Sequence, residues 1–173
     1  MAKNKRSTVR LDDPRFASGD VYSVRAEVEL ENGFVGVLGD IEEDNRDIRK
    51  LETPQAGDSL VIIANPALIY DNARLGSDQE TNYFMEAGEA VRAYKPHATY
   101  VFSVSEEGIE GKAEKGKYLV AGKGNKLVVA DAAPEDATGF VGKVIRKDVV
   151  GGALSVNVQQ SPTTYVVIDT IQN

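Results

Sequence analysis

Short β-strand patterns separated by turn residues run through almost the whole chain and constrain its fold more than any other feature. In residues 21–30, Val24, Ala26, Val28 and Leu30 alternate with polar or charged positions, which predicts a strand with one wet face. About nine such stretches follow one another, with turn signals roughly every 8–12 positions and almost no helical periodicity. This pattern predicts a mainly β protein: a short-stranded β-barrel or β-sandwich, a β-tulip-like form included.

Specific turns predict which strands are neighbours. Asn32-Gly33 is a strong hairpin signal and predicts that residues 21–30 pair with residues 34–38. The GKGN sequence at 122–125 predicts a second hairpin, between residues 117–121 and 126–130. Residues 40–50 are polar, and the spacing of Ile41 and Ile48 gives a weak indication of a short helix.

Charge is unevenly distributed along the chain. The net charge is −7, but residues 1–18 carry five bases against two acids, a net charge of +3, and residues 19–173 carry −10. We interpret residues 1–18 as an extended basic N-terminal arm that binds the acidic surface of a protein partner through its five bases. These candidate partner-binding residues are Lys3, Lys5, Arg6, Arg10 and Arg15.

Three segments describe the organisation of the chain. Residues 1–18 form the arm, residues 19–82 a β-rich N-terminal part, as a separate subdomain or as part of one fold, and residues 83–173 a β-rich C-terminal domain. Residues 71–82 are the most loop-like interior stretch and therefore mark the boundary.

Composition excludes several classes of function. The sequence has no Cys and a single His, which excludes a thiol nucleophile, a disulfide framework and a multi-histidine metal site. We expect no cofactor and no metal. The sequence has no apolar run long enough for a membrane span, so we expect no membrane association. It also has no apolar stretch after the basic N-terminus, so we expect no secretory signal. An acidic body also argues against specific nucleic-acid binding.

Three sequence features resemble ligand or catalytic sites, but each lacks a residue that such a site needs. Residues 111–117 contain G-x-x-x-x-G-K, yet Tyr118 replaces the Ser or Thr of a phosphate-binding loop and a strand follows. Residues 40–47 carry carboxylates at alternate positions, as calcium loops do, but Asn45 stands where a glycine is needed. His97 follows a proline in a turn, without a neighbouring nucleophile in sequence.

Two further groups of residues are interpreted in the same way. The carboxylates Glu106, Glu107, Glu110 and Glu114 are expected to form a solvated acidic loop rather than an acid/base pair. The strand aromatics are expected in the core or in an interface rather than on a base-stacking platform; they are Tyr94, Tyr100, Phe102 and Tyr118. We therefore expect a protein that is not an enzyme.

Residues 84–145 resemble the capsid decoration, or head-stabilising, proteins of tailed bacteriophages. The resemblance is carried by strand-and-turn sequences: AGE at 87–89 with RAY at 92–94, YVFSVS at 100–105, GKYLVA at 116–121 and FVGKVI at 140–145. It covers about a third of the chain and includes no catalytic signature, so it transfers no catalytic residue.

The resemblance implies a non-enzymatic virion protein. It would be made in the host cytoplasm, bind the outer surface of the mature capsid as a homotrimer and cement neighbouring major capsid protein subunits. An alternative is a tail-tube or head–tail connector component, which would assemble into rings. A hydrolase on a β scaffold is a third hypothesis, and no sequence motif favours it.

Overall fold

The computed structural model describes residues 5–68, 80–134, 138–151 and 162–173. These residues form a mainly β protein with a closed five-stranded barrel and a second, seven-stranded sheet. The predicted fold class is therefore confirmed. One of the predicted strand stretches, residues 154–158, lies outside the described residues. In chain order the elements are β1 (Val9–Arg10), α1 (Arg15–Ser18), β2 (Val21–Arg25), β3 (Val35–Glu42), β4 (Asn45–Glu52), β5 (Val61–Ile63), β6 (Ala90–Tyr94), β7 (Val101–Ser105), a 3-10 turn (Glu106–Gly108), β8 (Ile109–Glu110), β9 (Tyr118–Ala121), β10 (Leu127–Ala130), β11 (Val141–Val150) and β12 (Thr163–Gln172).

The barrel closes in the order β2-β4-β3-β5-β6, and β6 pairs back onto β2. The β2–β4 pair is parallel and the other four pairs are antiparallel. Its interior is a core of small and medium apolar side chains with Tyr83 and Met85 from the approach to β6: Val24, Ala26, Leu30, Val61, Ile63, Tyr83, Met85, Val91 and Ala93. Burial of these alternating positions explains why the strands close into a barrel.

The second sheet has the order β1-β7-β12-β11-β9-β10-β8 and shares a core with the barrel. In β5, Val61 and Ile63 face the barrel interior, whereas Ile62 joins the second core. Because both faces of β5 are covered, all three residues are buried, which accounts for its uninterrupted apolar sequence. The second core contains Phe16, Val35, Leu60, Ile62, Phe102, Val104, Ile109, Ala113, Leu119, Ala121, Leu127, Phe140, Val144, Val166 and Ile168.

Backbone and amide hydrogen bonds join the barrel to the sheet. The Val35 amide donates to the Asn125 carbonyl at 2.8 Å, and the Asn125 side-chain amide donates to the Val35 carbonyl at 2.9 Å. Strand β6 belongs to the barrel, so the chain passes from barrel to sheet between Tyr94 and Val101. The sequence-based division placed its boundary between residues 82 and 83.

The extended N-terminal arm finds no support in the structure. Strand β1 pairs antiparallel with β7, and Ser7 and Thr8 are buried. Phe16 inserts into the second core, with its ring edge-on to Tyr100 at a centroid distance of 5.1 Å. Phe16 is thus an apolar anchor for a segment whose sequence is otherwise dominated by charge, and its burial stabilises the docked state.

Two local predictions were wrong. Residues 40–50 form the end of β3, the turn after it and most of β4, not a short helix. The Asn32-Gly33 turn exists, with Gly33 at a φ of 87°, but β2 pairs with β4 and β6 rather than with β3. Barrel closure therefore overrides the local hairpin signal. The second predicted hairpin is confirmed, because β9 and β10 pair antiparallel around residues 122–125.

Candidate interaction surfaces

Arg6, a predicted partner-binding residue, is bound to the body of its own chain. Its guanidinium contacts the carboxylates of Glu29 and Glu31 and lies 4.6 Å from the centroid of the Phe84 ring. The hydrogen bond to Glu31 is the main cause that raises the pKa of Arg6 above its ordinary value. The Arg6 amide also donates to the Thr81 carbonyl at 2.9 Å, so both backbone and side chain anchor this residue.

Arg15 forms a second anchor at the other end of the N-terminal segment. It ion-pairs with Asp13 at 2.6 Å and stacks over the Tyr100 ring at 4.4 Å. It also donates to the hydroxyl and the carbonyl of Thr99, a residue held at a φ of 71°. A non-glycine residue with positive φ is uncommon, and the two bonds from Arg15 help to hold that strained turn in place.

Of the remaining predicted partner-binding residues, Lys5 and Arg10 make fewer contacts with the rest of the chain than Arg6 and Arg15 do. Lys5 donates to the Pro162 carbonyl at 2.8 Å and lies 3.8 Å from the Glu107 carboxylate. The Arg10 guanidinium lies 4.4 Å from the centroid of the Tyr165 ring. Lys3 is outside the described residues. Partner binding by these five bases stays a prediction, and Arg6 and Arg15 would have to exchange internal ion pairs for any partner contact.

A cleft of about 530 Å³ opens beside the start of the N-terminal segment. It is lined by three cations and two carboxylates: Lys5, Arg6, Glu31, Glu107 and Lys126. One oxygen of Glu107 is buried there without a hydrogen-bond partner among the described residues. The opposite charges largely neutralise one another, so the cleft does not favour an anion or a cation strongly.

Charge is segregated between the two halves of the fold. Residues 19–68 and 80–94, which form the barrel and its connections, carry 14 acidic and five basic side chains, a net charge of −9. The other described residues carry nine acidic and 13 basic side chains, a net charge of +4. The acidic end includes the tip of the β3–β4 hairpin, where Glu43, Asp44 and Asp47 are exposed. A surface of one sign attracts a partner of the opposite sign and speeds its association.

The long β11–β12 hairpin is a second candidate interaction surface. Both strands have ten residues, whereas β9 pairs only with residues 141–143 of β11. Beyond that point β11 is uncovered along one edge, and its side chains Ile145 and Val149 are exposed. In the sequence, this region stood out only through the FVGKVI stretch at 140–145; residues 143–150 show no alternation of apolar and charged positions that would have indicated the longer strand.

The ligand-like motifs lie in turns and hairpins. Gly111 and Gly116 hold positive φ values in the connection between β8 and β9, and Lys117 pairs with Asp131 at 2.9 Å. This connection leads into a strand, as the sequence predicted. In the calcium-like stretch, Glu42 is ion-paired with Arg25 at 2.7 Å. His97 lies 3.3 Å from the Asp20 carboxylate on the surface.

The acidic loop and the strand aromatics have structural contacts. Glu106 pairs with Lys147 at 2.6 Å and Glu114 pairs with Lys112 at 2.8 Å. Tyr94, Tyr100 and Phe102 surround Phe16 with edge-on ring contacts. Tyr118 is half-buried, with the Lys143 ammonium 5.9 Å from its ring centroid.

Across the part of the chain that the structure describes, no three His, Asp or Glu side chains come together as a candidate metal site. Within the same residues, no helix is both long and apolar enough to cross a membrane. Comparison of the chain with protein-family models, with curated proteins and with solved structures gives no match.

Proposed function

We propose that this protein is a non-enzymatic virion structural protein of a tailed bacteriophage that binds the outer surface of the mature capsid. In this role it cements neighbouring major capsid protein subunits against the pressure of packaged DNA. The sequence resemblance of residues 84–145 motivates the proposal.

The observation that carries the proposal is the segregation of charge between the barrel and the sheet. An acidic barrel with a net charge of −9 over its described residues favours docking on a basic surface, and the oppositely charged sheet then faces away. The shared core between barrel and sheet supports this role, because a rigid body loses little conformational entropy on binding. The β3–β4 hairpin tip is the docking element in this proposal, since its carboxylates project from the acidic end.

Electron microscopy of mixtures with capsid shells tests the proposal. The purified protein is mixed with expanded and unexpanded shells of the phage that encodes it. We expect ordered density on expanded shells alone, with the barrel against the shell. Closed rings formed by the protein alone, without shell binding, would instead support the tail-tube or connector alternative.

Charge reversal at the hairpin tip tests the docking face. Asp44→Lys is expected to raise the Kd for expanded shells several-fold and to slow association, and added salt is expected to weaken wild-type binding. Glu110→Lys is the matched control, because it makes the same charge change at an exposed position of the second sheet. Equal effects of the two substitutions would show that the hairpin tip is not the docking element.

A further inference from the structure

Strand β11 has a stretch of edge that no described strand covers. Strand β9 and the residues before it reach β11 only as far as Val144, which exchanges backbone hydrogen bonds with Gly116 and Lys117. From Ile145 to Val150, β12 is the one strand among the described residues that pairs with β11. An open edge of this length is a template for another strand.

The backbone groups on this edge can be assigned from the neighbouring strand. The amide and carbonyl of Thr170 on β12 bond to Thr99 and Tyr100, on the β7 side. The backbone amides and carbonyls of alternate strand residues point in the same direction. Those of Val166, four residues before Thr170, therefore also point toward β7. Its β11 partner is Lys147, whose amide and carbonyl therefore point away from β12, to the open edge. Val149 pairs with Thr164, two residues before Val166, so its amide and carbonyl also point to the open edge.

The sequence of this edge is complementary to itself. Arg146 and Asp148, which carry opposite charges, flank Lys147 on its two sides. In an antiparallel pair of two copies centred on Lys147, Arg146 faces Asp148 of the partner subunit on both sides of the axis. Ile145 is the extra residue of a β-bulge that β11 forms against β12, so it takes no regular place in this pairing. Opposite charges directly across a sheet stabilise strand pairing.

We infer that this edge binds a second copy of the same chain in that register. The product is a two-fold symmetric dimer in which one sheet runs through both subunits. The two Lys147 side chains meet at the axis, and the Glu106 carboxylate, 2.6 Å from each ammonium within its own subunit, offsets their repulsion.

This inference is independent of the proposed capsid role. It does differ from the homotrimer expected from the sequence resemblance, because antiparallel pairing of one edge with itself closes after two copies.

Two charge-reversal variants test the register in solution. Asp148→Arg places like charges at both Arg146 contacts, and Arg146→Asp does the same with negative charges. We expect a wild-type dimer in sedimentation velocity from micromolar to near-millimolar concentration. Each variant alone is expected to raise the dimer Kd at least about tenfold, because two cross-strand pairs change from attraction to repulsion. An equimolar mixture of the two variants should restore the dimer, because the mixed pair regains both opposite-charge contacts.

The mixture separates pairing between chains from folding within a chain. Both variants break the 2.9 Å Arg146–Asp148 pair inside their own chain, and mixing cannot repair that loss. Glu110→Arg and Lys123→Asp are charge-matched controls at exposed positions outside β11 and should leave the dimer unchanged. A wild-type monomer or trimer, or a dimer that survives both variants, would overturn the inference, as would a mixture that does not reassociate.

Discussion

The carboxylate of Glu31 accepts a 2.7 Å hydrogen bond from the guanidinium of Arg6. Its second oxygen accepts from the backbone amide of Ser7, also at 2.7 Å. Glu31 is mostly buried, with 14% of its side chain exposed, so these charge-assisted bonds are shielded from water. One barrel residue thereby fixes the point at which the N-terminal segment joins the body.

Replacement of Glu31 should release this segment. We expect Glu31→Ala to lower the free energy of unfolding by about 1–3 kcal/mol, because the buried Ser7 amide loses its charged partner. Trypsin cleavage after Lys5 and Arg6 should accelerate. Glu29→Ala is the control: Glu29 also contacts Arg6 but is 46% exposed, and should cost less than about 1 kcal/mol. Equal losses in urea denaturation would contradict the assigned role of Glu31.

The Asp13–Arg15 pair should make part of the stability depend on pH. The hydrogen bond from Arg15, assisted by the Val101 amide, holds the pKa of Asp13 well below its ordinary value of 3.8. The unfolded chain therefore takes up this proton before the folded chain does as the pH falls. The stabilisation is complete at neutral pH and is lost progressively below about pH 4.

Asp13→Asn should therefore be less stable than wild type at pH 7 and lose less stability on acidification. Urea denaturation at about pH 7 and pH 3 measures both effects. Asp12→Asn is the control, because Asp12 is exposed beside it. An Asp13→Asn variant whose unfolding free energy falls as steeply with acid as that of wild type would contradict this account.

Apolar alternation in the sequence was enough to predict the β class and several strands. In residues 21–30 it correctly placed Val24, Ala26 and Leu30 inside, because these positions face the barrel interior. It failed at Val28, which is 50% exposed, because β2 ends at Arg25 and the chain then turns. Alternation of apolar residues indicates a strand but does not show at which residue that strand ends.

Strand neighbours and the position of the N-terminal segment could not be predicted from local signals. The parallel pairing of β2 with β4 joins residues about 25 positions apart, through long-range closure of the barrel. The docking of residues 5–18 depends on Phe16 finding a core built mostly from strands more than 80 residues away. The open edge of β11 likewise follows from the short length of β9, which is a property of the assembled sheet.

Asn173 joins both halves of the fold and should contribute measurably to stability. Its side-chain oxygen accepts from the Leu60 amide at 2.6 Å, and its side-chain nitrogen donates to the carbonyls of Leu60 and Pro96 at 2.8 Å. We expect Asn173→Ala to lower the free energy of unfolding by about 1–3 kcal/mol in urea denaturation. Ser59→Ala removes only a 3.2 Å bond to the same oxygen and should cost less than about 1 kcal/mol. A smaller loss for Asn173→Ala than for Ser59→Ala would show that the junction does not depend on Asn173.

Gly139, just before β11, lies against the backbone of Gly57 and Asp58, which precede β5. A Cβ at this position would lie 2.2 Å from the Asp58 carbonyl oxygen, which accepts a bond from the Phe140 amide and cannot retreat without breaking it. We expect Gly139→Ala to lower the free energy of unfolding by about 2–4 kcal/mol, measured by urea denaturation. Gly88→Ala is the matched control, since Gly88 has a φ of 83° and no atom near its Cβ position, so it should cost only about 1–2 kcal/mol of backbone strain. If Gly139→Ala proves the milder substitution, the two sheets can separate at this contact, and the shared core does not hold them as one rigid body.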